Sequence, residues 1–256
     1  MKMQKLNGYT LITYKDLTLR NGVLVQGLPG IGLVGKIAVD YIVSSLNLEK
    51  VAEIIGPGIM LPSGNVGVYV TNEGWLQLPS YKFYVYNGSE RDILFLTSEV
   101  QPATWAQHEV AERVLDLFVS MGGREVVGVC GTAVEEPEAR VYYALASGTV
   151  IDKLEALGAR RSGGGTITGA CGLLPALASL RGLDAFVLMG STQTSEPNFI
   201  AAKEVITALS KLYGLNVNLE EIEKVIAKIK EKEEEALRIA ETAKQKEGEQ
   251  FPSWYV

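Results

Sequence analysis

The chain has 256 residues, 47% of them apolar, and 24 Lys and Arg against 30 Asp and Glu give a net charge of −6. That size and apolar share suit one large α/β domain, or two small ones, with a sizeable core. The acidic balance leaves no cation surplus to displace counterions from phosphates, so no nucleic acid is expected as a partner. With no run of 18 apolar residues and no apolar stretch behind MKMQKLNGYTL, no membrane is expected either, and the chain reads as cytoplasmic.

Residues 9–20 alternate loosely and predict an edge strand. Residues 23–27, VLVQG, form a short apolar run that stops at glycine, as a buried strand does. Residues 29–46 read as a loop opening into a helix with Ile37, Tyr41 and Ile42 on one side. A strand follows at 51–58, then strands within 66–86 (VGVYV and YKFYVY) separated by turn residues, and another buried strand at 92–99. Residues 102–121 carry Trp105, Val110, Val114, Leu117 and Phe118 at helical spacing. Strands are expected at 124–131 and 141–147, a helix near 149–157, a glycine-rich segment at 162–172 and a helix at 173–182. A strand at 184–192 and a helix at 198–213 complete the series. This alternation predicts a three-layer α/β/α sandwich around a mostly parallel or mixed sheet.

From 218 to 247 the composition shifts to Glu, Lys and Ala without Gly or Pro before Gly248. The spacing predicts one long charged helix, capped by Asn218, with Glu220 and Glu221 in its first turn. Gly248 is expected to break it. Residues 248–256 then form a flexible tail, which Pro252 keeps from re-entering helix. The expected organisation is an α/β domain at 1–217, the charged helix at 218–247 and the tail.

Several constellations invite a chemical reading. Gly30, Gly32 and Gly35 form a literal GxGxxG between a strand and a helix, the dinucleotide fingerprint. The acid that should close the second strand is missing, because Glu53 stands at its start, and no GKS or GKT follows. A tight turn with close packing needs the same glycines. Gly163, Gly164 and Gly165, behind Arg160 and Arg161, could cradle an anion through backbone N–H groups, although such runs are usually surface loops. Glu135, Glu136 and Glu138 follow a strand, and Glu99 ends another, where open α/β sheets bind ligands. No nucleophile accompanies them. His108 reads as a boundary residue of its helix, and Cys130 as an inert core residue. Neither Cys130 nor Cys171 belongs to a metal-ligand set, so no metal and no cofactor is expected. A disulfide between them in the cytosol would fit a hyperthermophilic source, toward which the Lys/Glu-rich composition leans.

The segments QGLPGIGLVGKIAVDYIVSSL, LTSEVQPA and GGGTITGACGLLPALA resemble the proteasome assembly chaperone family in its archaeal form, over roughly residues 20–215. The resemblance implies a fold similar to nucleoside phosphorylases without an enzyme's activity, and a homo-oligomer acting on the 20S proteasome. Whether a paralogous family member is needed stays open. The final Trp254, Tyr255 and Val256 match the hydrophobic–Tyr–any ending of proteasome activators. The resemblance implies docking of that ending between 20S α-subunits, favouring an open gate. A terminal carboxylate, a half-polar Tyr ring and an apolar Trp anchor suit such a pocket. The competing reading is a small-molecule or nucleotide-binding enzyme using the loops at 30–35 and 162–166.

Overall fold

The computed structural model describes residues 1–135, 140–147 and 150–249. Twelve strands occur among them: β1 (Lys2–Leu6), β2 (Tyr9–Thr13), β3 (Gly22–Gly27), β4 (Glu49–Ile55), β5 (Tyr69–Val70), β6 (Leu76–Gln77), β7 (Tyr81–Asn87), β8 (Asp92–Thr97), β9 (Gly123–Ala133), β10 (Val141–Leu145), β11 (Arg160–Arg161) and β12 (Asp184–Thr192). The α-helices are α1 (Val34–Ser45), α2 (Gln107–Ser120), α3 (Ile151–Ala156), α4 (Ala170–Leu180), α5 (Phe199–Tyr213) and α6 (Glu220–Glu249). Contacts divide the chain into two compact units, Met1–Val217 and Asn218–Val256.

In the first unit ten strands form one mixed sheet, in the order β1-β2-β4-β7-β8-β3-β9-β12-β10-β11. Its centre, β8-β3-β9-β12, is parallel throughout. These four strands read as near-continuous apolar runs because helices cover both faces. Helices α1 and α5 pack together on one face, α2 and α4 on the other. Toward α2 and α4, Leu24, Phe83, Leu94, Phe118 and Leu174 share the main core. The expected three-layer α/β/α sandwich is the observed architecture.

Glycine sets how closely the layers approach. A Cβ on Gly27 would strike the Gly35 carbonyl, and one on Gly35 the Val129 carbonyl. Helix α1 therefore lies directly on β3 and β9. On the opposite face Gly128 abuts the carbonyl of Cys171 in α4. Pro175 explains that carbonyl's position. Having no N–H, it cannot bond the carbonyl four residues back, so the Cys171 oxygen is free of helical pairing to Pro175 and leans on the sheet.

Several expectations need correction. The edge strand is β1, which pairs only with β2; β2 lies inside it, between β1 and β4. The hairpin was legible in Asn7-Gly8, both with positive φ, a sequence that favours a two-residue turn. Trp105 does not join the α2 stripe. It sits in a 3-10 turn at Thr104–Ala106, where the phase differs from that of the α-helix, and is 68% exposed. Helix α4 begins at Ala170, inside the glycine-rich segment, rather than at 173. Thr149, at the start of the expected helix near 149–157, lies outside the described residues; α3 begins at Ile151.

In the second unit, the Asn218 side chain accepts a hydrogen bond from Glu220 N at 2.8 Å, as expected of the cap. Helix α6 does not break at Gly248 but runs to Glu249. A glycine in a last turn weakens a helix by roughly 1 kcal/mol without ending it. No helix among the described residues is long and apolar enough to cross a membrane.

Candidate functional site

The carboxyl ends of β3 and β8 are where this sheet can best receive a ligand. The two strands are parallel neighbours, yet β3 leads into α1 on one face and β8 into α2 on the other. Their connections diverge and leave a crevice, the topological switch point of an open α/β sheet. A cleft of about 290 Å³ opens there, lined by Pro29 beyond β3, by Glu99 and Gln101 beyond β8, and by Met60, Leu61 and Pro62. Gln101 ties its walls together: its amide donates to Pro29 O at 2.7 Å and accepts from Ala170 N at 3.3 Å.

A balanced charge network borders the cleft. Lys36, from the first turn of α1, lies 2.7 Å from Asp40 and 2.9 Å from Glu99. Lys82 lies 3.8 Å from the other Glu99 oxygen, and Thr97 donates to Asp40 at 2.5 Å. Burial works to lower the Lys36 pKa, but the hydrogen bonds and charges of Asp40 and Glu99 outweigh it and hold the ammonium above its usual value. Two ammonium groups face two carboxylates. Glu99 thus stands beside the amino end of α1, where the fingerprint motif would place a phosphate.

Sequence reasoning singled out Glu99 as a companion for the acids after β9. Its ion-pair partners are Lys36 and Lys82, which the sequence separates too widely to pair by inspection. Glu135 is exposed, its carbonyl accepting from Gln193, while Glu136 and Glu138 lie outside the described residues. Of the GxGxxG set, Gly35 is buried against β9, Gly32 lies in the 3-10 turn before α1, and Gly30 has open space around its Cα. Gly163, Gly164 and Gly165 are exposed beyond β11. Gly165 borders a second, larger groove of about 510 Å³ with His108, Leu173 and Val187. His108 is exposed at its rim rather than at a core boundary.

Cys130 and Cys171 form a disulfide from β9 to the first turn of α4, with Cα atoms 6.3 Å apart. Cys130 is therefore a cross-link rather than an inert core thiol. No group of three or more His, Cys, Asp or Glu able to hold a metal ion occurs among the described residues. Trp254, Tyr255 and Val256 lie outside the described residues. Of the strands expected within 66–86, YKFYVY belongs to β7 of the main sheet, whereas VGVYV does not. Residues 66–70 do not enter the main sheet; β5 and β6 form a separate hairpin with its apolar side chains outward.

A mixed sheet with a parallel centre, helices on both faces and a charge-balanced switch point define an α/β/α sandwich protein. The chain belongs to the PAC2 family, whose model matches residues 24–237. An uncharacterized protein of Methanocaldococcus jannaschii is 32% identical over 240 residues, 89% of this chain and 90% of that one. PbaB of Pyrococcus furiosus, described as an archaeal proteasome activator, is 28% identical, with 92% of this chain and 100% of that one covered at a TM-score of 0.79. PbaA of the same organism, described as an archaeal homolog of proteasome-assembly chaperone, is 25% identical, with 98% and 100% covered at a TM-score of 0.76.

Proposed function

We propose that this protein is a non-enzymatic proteasome activator or assembly chaperone of the cytoplasm. Its α/β unit forms a homo-oligomer, and each copy offers Trp254, Tyr255 and Val256 to pockets between adjacent α-subunits of the 20S ring, promoting gate opening or assembly. The observation that carries this reading is the likeness to PbaB along that protein's whole length. The ending supports it independently: two aromatics and a valine close a segment otherwise rich in Lys, Glu and Gln. The charged helix serves as the spacer. One short tail binds weakly, and several tails on one oligomer raise the effective concentration, so self-association belongs to the mechanism.

The test is co-sedimentation with 20S particles, comparing the full chain with one lacking residues 254–256. The full chain is expected to travel with the particle and the shortened chain to stay behind. Equal co-sedimentation of the two would remove the tail from the mechanism.

A further inference from the structure

The hairpin of β5 and β6 inverts the usual order of a half-buried sheet. Its register pairs Tyr69 with Gln77 and Val70 with Leu76. Side chains alternate along such strands, so Gly67, Tyr69 and Gln77 share one face, and Val66, Val68, Val70, Leu76 and Leu78 the other. The first set is the half-buried one, with the Tyr69 hydroxyl out of solvent. The second faces outward, Val66 being 91% exposed and Leu76 74%, with Trp75 beside them at 74%. An isolated sheet of two residue pairs is marginal in water, and among the described residues nothing covers its apolar face.

We infer that this outward face is an interface with a second copy of the same chain. Area and charge argue for that occupant. The outward side chains and Trp75 present on the order of 700 Å², near the roughly 800 Å² each partner contributes to a stable interface. Residues 66–78 contain a single charged side chain, Glu73. Two copies of a protein with a net charge of −6 meet least repulsion where charge is sparse. A charge-poor apolar face also suits a permanent contact better than a transient one. Trp75, at the turn end of the hairpin and 74% exposed, adds a large aromatic at the edge of this face.

This assignment rests on the self-association proposed above, and its test contains no proteasome. Sedimentation equilibrium of the full chain is expected to give a multiple of 27.7 kDa. The double variant Trp75→Glu/Leu76→Glu is expected at the single-chain mass with an unchanged circular dichroism spectrum. Leu180→Glu, at a leucine of α4 that is more exposed still, keeps the wild-type mass, as does the chain lacking residues 254–256. Trp75→Ala adds no charge and serves if the double variant does not fold; it is expected to weaken association at least about tenfold. A wild type that is monomeric alone, or that associates only with a different chain, overturns the inference. So does retention of the wild-type mass by the hairpin variants. Loss of proteasome binding by the tail-less chain, with its mass unchanged, reports on the tail alone.

Discussion

Gly128 leaves no room for a side chain, and its neighbours cannot give way. The atom that would meet a Cβ is the carbonyl oxygen of Cys171, part of a backbone that Pro175 and the disulfide hold in place. Gly128→Ala is expected to destabilise the fold by about 1–3 kcal/mol through overpacking, read as a lower denaturation midpoint with unchanged slope. Gly30→Ala, with nothing near its Cα, is the control and should stay within about 0.5 kcal/mol of wild type. Glu53 makes a different kind of demand. It is buried in β4 and accepts hydrogen bonds from Lys50, Tyr14 and Ser80. Burial alone would raise its pKa, but these partners hold it below the usual carboxylate range. A pKa depressed by folding contributes stability above the unfolded value, and that contribution is lost as pH falls through the folded value. Glu53→Gln is therefore expected to cost about 1–3 kcal/mol at neutral pH. Urea titrations at neutral and strongly acidic pH should show the gap to wild type shrinking as the carboxylate protonates.

At the scale of elements, the disulfide joins the parallel centre of the sheet to α4. It closes a sequence separation of 41 residues, for which loop entropy gives about 4 kcal/mol of stabilisation. Cys130→Ala/Cys171→Ala is expected to lose about 2–4 kcal/mol, and a reductant should lower wild-type stability toward that of the double variant without changing the variant. The elements themselves differed in how plainly the sequence announced them. Strands β3, β8, β9 and β12 are buried on both faces, so their apolar runs stand out without tertiary knowledge. Helix α5 carries its own signals, the Asn198 cap and a left-handed Gly214. Strand β1 was missed because an edge strand is half solvated and KMQKL reads as polar, although Asn7-Gly8 announced its turn. Trp105 misled because periodicity assumes a continuous α-helix, and the 3-10 turn shifts the phase. The hairpin of β5 and β6 read as part of the main sheet for a related reason: alternation shows that two faces differ but not which one meets solvent. The charge network of Lys36, Glu99 and Lys82 was beyond pattern reading, because three separate elements supply it and only the sheet order brings them together.

For the whole molecule, the proposed function joins oligomerisation and the C-terminal residues in one mechanism. An isolated Trp-Tyr-Val ending is a weak ligand; carried in several copies on a platform, it binds with the combined strength of all of them. Variants that dissociate the hairpin interface should therefore weaken proteasome stimulation while leaving each tail intact. The family match spans residues 24–237, and in the proposed function residues 254–256, beyond it, make the contact. The direct measurement is hydrolysis of a short fluorogenic peptide by archaeal 20S proteasome, with the full chain and with one lacking Trp254, Tyr255 and Val256. The account predicts stimulation by the full chain and none by the shortened one, whose oligomeric mass is unchanged. Equal stimulation by both chains would contradict it.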